Sequence, residues 1–151
     1  MRKQYVLTRR GGPELGAKWE KWVTNFLQVR GHQAVRIASK AHQAVLRYDI
    51  LLENSIRIEV KSSRRNAKEH YCFNHFWRWP SIREGKAPFD FLILVAEETS
   101  DKYAVFVIPQ ADLGYRRSLT FIWPHSILNK YDLTNYLDAW HLIDAGVQEK
   151  E

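Results

Sequence analysis

Three side chains near the middle of the chain have types and spacing that could do chemistry. In Ile56-Arg57-Ile58-Glu59-Val60-Lys61 the apolar residues alternate. A strand that buries them on one face must set Glu59 and Lys61 together on the other. Leu46, Tyr48, Ile50 and Leu52 alternate as well, and Glu53-Asn54-Ser55 separates the two runs, a hairpin signature. A three-residue loop pairs Leu52 with Ile56, which places Asp49 directly opposite Glu59 and Arg47 opposite Lys61. Cross-strand partners have Cβ atoms roughly 4.5–5.5 Å apart, a spacing at which two carboxylates repel unless a proton or a cation lies between them.

A divalent metal is the natural resident. Asp49, Glu59 and the backbone carbonyl of Val60 are the hard oxygen donors that Mg²⁺ prefers, with Mn²⁺ as its substitute, and they leave positions for water and a phosphate oxygen. Metal-activated water and a lysine beside it suit phosphodiester hydrolysis, with Lys61 orienting the nucleophile or stabilising the developing pentavalent phosphorus. The plain alternative for the same pattern is a half-exposed strand whose Arg57, Glu59 and Lys61 are solvated.

The elements that must position these groups follow from periodicity. Gly12-Pro13 is a helix-start signal after a basic arm over 1–12. Leu15, Trp19, Trp22, Val23, Phe26 and Leu27 recur at helical spacing up to a capping Gly31, which predicts an amphipathic helix over 14–30. A short strand is expected within 32–37 and a polar connection over 38–44, before the two hairpin strands. The aromatic stretch 70–79 reads as helical until Pro80 stops it. Phe89 to Ala96 is a continuous apolar run, as in a strand covered on both faces. Strands over 103–108 and 119–123 and a helix over 132–145, with Gly146 after it, complete the expectation.

Basic residues flank the hairpin. Arg36, Lys40 and Arg47 precede it and Arg64, Arg65 and Lys68 follow, charges that could contact phosphates; a solvated surface is the alternative. His42 could assist proton transfer, although a lone loop histidine is ordinarily a surface residue. His70, Cys72 and His75 supply at most three ligands in a spacing that matches no usual structural zinc pattern, and zinc is rejected. Phe73, Phe76, Trp77 and Trp79 suit core packing more than base stacking, yet Phe76, Trp77 and Trp79 cannot all share one narrow helix face. Trp140 and Leu137 are expected in the core or at a dimer contact.

At 151 residues the chain is expected to form a single domain, and 45% hydrophobic with 26% charged residues excludes a wholly disordered chain, a collagen-like fibre or a coiled-coil rod. No run approaches the roughly 18 apolar residues of a membrane span. A lone Cys72 and a start without an apolar signal region point to a cytoplasmic protein. The net charge of +6 hides two unlike halves. Residues 1–86 hold 18 Lys plus Arg against 7 Asp plus Glu, whereas residues 87–151 hold 5 against 10. The basic excess therefore coincides with the hairpin, and nucleic acid is the expected polyanionic partner.

Taken together, Asp49 and Glu59-Val60-Lys61 resemble the acid and the (D/E)xK tripeptide of the PD-(D/E)xK nuclease superfamily. Gly16-Ala17-Lys18-Trp19-Glu20, the helix end Arg30-Gly31-His32 and Glu59-Val60-Lys61-Ser62-Ser63 are most similar to archaeal-type Holliday junction resolvases. Tyr48 stands where that pattern usually has proline. The resemblance implies an α/β, restriction-endonuclease-like αβββαβ core, a central mixed sheet flanked by helices, over 14–96. A C-terminal extension of the same domain, over 97–151, adds a strand and a helix. It also implies that Glu20 is a helix glutamate near the metal, and that the chain is a Mg²⁺-dependent DNA endonuclease. The substrate could be branched, as for a resolvase, or linear duplex, as for restriction and homing enzymes; a non-catalytic nucleic-acid-binding module on the same fold is the competing class. Cutting two strands with one small site per chain calls for a homodimer.

Overall fold

In the computed structural model, residues 12–74, 76, 87–114, 116–124, 129 and 132–150 are described. Helix α1 (Gly12–Val29) forms where Leu15, Trp19, Val23 and Leu27 make one apolar stripe, and all four are buried. It ends as the sequence predicts. Gly31 takes φ 105°, its N–H donates to the Gln28 carbonyl at 3.0 Å, and His32 donates to the Leu27 carbonyl at 2.9 Å, a closure that an L side chain would strain.

The chain then departs from expectation. β1 (Val35–Arg36) is short, and the supposed polar connection contains helix α2 (Lys40–Leu46). Ser39 caps it, its hydroxyl accepting from the His42 N–H at 3.4 Å, and the next turn closes on Arg47, which adopts left-handed backbone at φ 65°. Leu46 and Arg47 therefore belong to a helix and its cap, and the first hairpin strand shrinks to β2 (Ile50–Leu51). The predicted register nonetheless holds within β2. Ile50 pairs with Ile58 and Leu51 with Arg57, and Leu52 donates to the Ile56 carbonyl at 2.8 Å across the three-residue turn Glu53–Ser55.

β3 (Arg57–Arg64) lies parallel to β5 (Phe91–Thr99), which pairs antiparallel with β6 (Lys102–Pro109). The strand order β1-β2-β3-β5-β6 makes a five-stranded mixed sheet. β4 (Tyr71–Phe73) pairs with β7 (Leu119–Phe121) in a small separate sheet, so the start of the aromatic stretch is strand, not helix. Phe76 is buried, and the described part of the stretch expected to be helical over 70–79, residues 70–74 and 76, holds no helix; Trp77 and Trp79 lie outside the described residues.

Alternation along β5 divides the core. Phe91, Ile93 and Val95 face the helical layer, where they pack with α1; Leu92, Leu94 and Ala96 face the β4–β7 sheet, where Phe73 stacks on Phe121 at 5.6 Å. This is the doubly covered strand that the apolar run predicts. After the short helix α3 (Gln110–Leu113) and β7, the chain returns to the helical layer. The last helix, α4 (His141–Glu149), starts later than the periodicity suggests. Leu137 bridges to Phe106, Asp138 donates from its backbone to the Val105 carbonyl at 2.8 Å, and Asp138 turns with φ 49°, so the segment serves as a strand partner before it can coil. Trp140 packs on Phe26 at 4.4 Å, inside the core. Among the described residues no helix is long and apolar enough to cross a membrane.

Gly146 sits inside α4, not after it, and the reason is steric. A Cβ there would lie 2.8 and 2.9 Å from two ring carbons of the buried Phe91. Alanine ordinarily favours a helix over glycine by up to about 1 kcal/mol. Here overpacking, typically about 1–3 kcal/mol, should win. Gly146→Ala is expected to lower the Tm by roughly 2–4 °C for each kcal/mol lost. A melt showing an unchanged or higher Tm would mean that Phe91 moves aside freely.

Candidate active site

The site is built on β3. Ile58 and Val60 enter the helical-layer core, so Glu59 and Lys61 project from the opposite face, as the alternation requires. Asp49 lies just before β2 and one residue out of the β2–β3 register, so it is not the direct cross-strand partner of Glu59 that the sequence predicts: its N–H donates to the Ile58 carbonyl at 2.9 Å, and its Oδ2 accepts the Val60 N–H at 2.8 Å. That bond turns the carboxylate back over β3. In a strand the carbonyl of a residue leaves on the same side as its N–H, so the Val60 carbonyl also faces the Asp49 side, past the end of β2.

Asp49 and Glu59 are 8% and 9% exposed, an unusual depth for two neighbouring carboxylates. Burial pushes the Glu59 carboxyl well above its ordinary range, and the charge of Asp49, within hydrogen-bonding reach, pushes the same way. Lys61 opposes the shift, with its Nζ 3.5 Å from Glu59 Oε2. Glu20 arrives from α1. Burial and the charge of Asp49 raise its carboxyl too, against hydrogen bonds to Oε1 from Gln43 Nε2 at 2.9 Å and Arg36 Nε at 3.1 Å. Asp49 thus interacts with two other acids, Glu59 on β3 and Glu20 on α1.

This arrangement fits a hard divalent cation. The repulsion between Asp49 and Glu59 is what such an ion relieves, and the donors are all oxygen. Among the described residues no three His, Cys, Asp or Glu side chains converge into a ready-made cage. Asp49, Glu59 and the Val60 carbonyl are the oxygen donors that would hold such an ion.

The other residues singled out by the sequence divide into two groups. Arg36 is turned onto Glu20, and Arg65 pairs with Glu98 at 3.2 Å while lying 5.7 Å from the centre of the Tyr71 ring. Lys40, Arg64 and Lys68 remain exposed; Arg64 lies 3.7 Å from the buried carboxylate of Glu97. Arg47 does not face Lys61, because its left-handed cap ends α2 before the strand pairing begins. His42 is exposed on α2, and His75 lies outside the described residues.

Two groups escaped the sequence reading. Gln43 holds Glu20 from α2, and its only sequence signal was the cap Ser39 followed by good helix formers. Glu97, 2% exposed, accepts from Trp19 Nε1 at 2.9 Å and Lys18 Nζ at 3.2 Å and ties α1 to β5; no local pattern announces it.

No family model and no curated protein matches the chain. The fold is a central mixed five-stranded sheet flanked by helices. Among solved structures it is similar to that of a bacterial homing endonuclease, I-Ssp6803I, with a TM-score of 0.62 and 18% identity over 89% of this chain and 94% of that one. At that identity the likeness is one of fold.

Proposed function

We propose that the chain is a divalent-metal-dependent DNA endonuclease of the PD-(D/E)xK kind. The observation that carries this reading is the pair of buried carboxylates, Asp49 and Glu59, within hydrogen-bonding reach of each other, with Lys61 3.5 Å from the second. Asp49, Glu59 and the Val60 carbonyl would hold Mg²⁺, with Mn²⁺ as a substitute. When bound, the cation supplies charge neutralisation at the scissile phosphate and makes water more acidic. Lys61 then donates to the attacking water or to a non-bridging phosphate oxygen, and Glu59 keeps the ammonium aimed there. Glu20 adds negative charge beside Asp49, which strengthens the pull on a cation.

Exposed Lys40, Arg64 and Lys68 supply charge for the DNA backbone, in the half of the chain where basic residues are in excess. The fold shared with a homing endonuclease favours linear duplex DNA over the branched substrate of resolvases. Cleavage of both strands by one site per chain supports a homodimer.

The test is a substrate panel: a linear duplex, a four-way junction and single strands, each with Mg²⁺, Mn²⁺ or EDTA. Metal-dependent cleavage of duplex DNA, abolished by EDTA, is the expected result. Retention of DNA without metal-dependent cutting of any substrate would leave the non-catalytic binding module in its place.

A further inference from the structure

α2 carries one described side chain that is not exposed. Lys40, Ala41, His42, Val45 and Leu46 all face solvent, while Gln43 points inward. Its amide nitrogen donates to Glu20 Oε1 at 2.9 Å and to the Ile37 carbonyl at 2.7 Å. The amide orientation is dictated by these partners, since the reversed amide would set oxygen against two acceptors. Gln43 is itself held at both ends of its backbone, donating to the Ser39 carbonyl at 2.9 Å and accepting from the Arg47 N–H at 2.6 Å.

Both donors to Glu20, Gln43 and Arg36, engage the same oxygen, and among the described residues none engages Oε2. Among the described residues the carboxylate is therefore held through Oε1 alone. Arg36 fixes it at the expense of its charge, whereas a neutral amide fixes it without cancelling any. That distinction matters in a site whose acids must attract a cation.

We propose that Gln43 is a positioning residue that orients Glu20 at the metal-binding acids through the Gln43 Nε2–Glu20 Oε1 hydrogen bond. The proposal rests on the nuclease reading and extends it to a residue on an element outside the hairpin. Groups that orient ligand-site residues without touching the metal typically change affinity or activity by about 10–100-fold when removed.

The experiment uses the full chain and two readouts. Mn²⁺ occupancy is followed by electron paramagnetic resonance on the protein alone, and single-turnover cleavage of duplex DNA is followed against Mn²⁺ concentration. Gln43→Met keeps the stem of the side chain and removes both donors. It should raise the half-saturating Mn²⁺ concentration roughly tenfold in both readouts, with the rate largely restored at excess metal. Val45→Ala, on the exposed face of the same helix, should match wild type and so reports any general weakening of α2. In a Glu20→Gln background the effect of Gln43→Met should vanish, because coupled residues are non-additive. A Gln43→Met protein indistinguishable from wild type, or an effect undiminished in the Glu20→Gln background, overturns the role of Gln43 alone. A wild-type protein that binds no Mn²⁺ and cuts no DNA overturns the nuclease reading and this proposal with it.

Discussion

Glu59→Gln is expected to reduce metal-dependent cleavage by at least about a thousandfold while raising the stability of the metal-free protein at neutral pH. The first effect follows from removing one of two carboxylates that would hold the cation, whose charge stabilisation amounts to several kcal/mol, at 1.36 kcal/mol for each factor of ten. The second follows from what the carboxyl endures in the fold. Burial first, and the charge of Asp49 second, raise Glu59 well above its ordinary range. Between its ordinary value and the raised one, the folded chain holds a proton that the unfolded chain has lost. Metal-free stability is therefore greatest below the ordinary value and falls as pH rises through that window. Glutamine cannot titrate, so the mutant should lack this part of the slope. Thermal melts in EDTA from acid to alkaline pH would measure it. If wild type loses no more stability with rising pH than the mutant does, the two carboxylates are not coupled as the geometry requires.

The elements of the candidate site were partly legible in the sequence. Asp49, Glu59 and Lys61 could be read because hairpin register depends on a local turn and a period of two; Ile50 opposite Ile58 preserves it within a β2 of only two residues, and Asp49 lies one residue beyond it. α1 and β5 were legible for similar reasons: one presents a continuous apolar stripe, the other an uninterrupted apolar run between two buried layers. Glu20 entered only through resemblance, since nothing in helical periodicity links it to a hairpin acid.

α2 was not legible because it buries almost nothing. Leu46 and Val45 are 42% and 78% exposed, so no stripe marks the helix, and Leu46 falsely extends the alternation of the next strand. Tyr71–Phe73 needed a partner nearly fifty residues away, Leu119–Phe121, before its strand character could be known. Gln43, Glu97 and the Gly146–Phe91 contact share that cause. Each is defined by a neighbour that the chain supplies from another layer. Local pattern thus captured the strands on which the proposed site stands, and missed the polar contacts around it.

Lys61→Ala should lower single-turnover cleavage by about a hundred- to a thousandfold, the range found when one preorganised donor to a developing charge is removed. Two consequences of the 3.5 Å contact with Glu59 make the prediction specific. Lys61 opposes the upward push on the Glu59 carboxyl, so its loss also leaves the buried acids with less compensation. The amount of Mg²⁺ needed should consequently change together with the maximal rate. Lys61→Arg separates the two contributions. It retains the positive charge that steadies Glu59, but replaces a compact ammonium with a planar fork of different reach. The metal requirement should therefore stay near wild type while the rate recovers only in part. DNA retention in a gel shift should survive in both variants, because exposed Lys40, Arg64 and Lys68 are untouched. A Lys61→Ala protein that cuts within a few-fold of wild type would remove Lys61 from the reaction and leave its bridge to Glu59 as a purely structural contact.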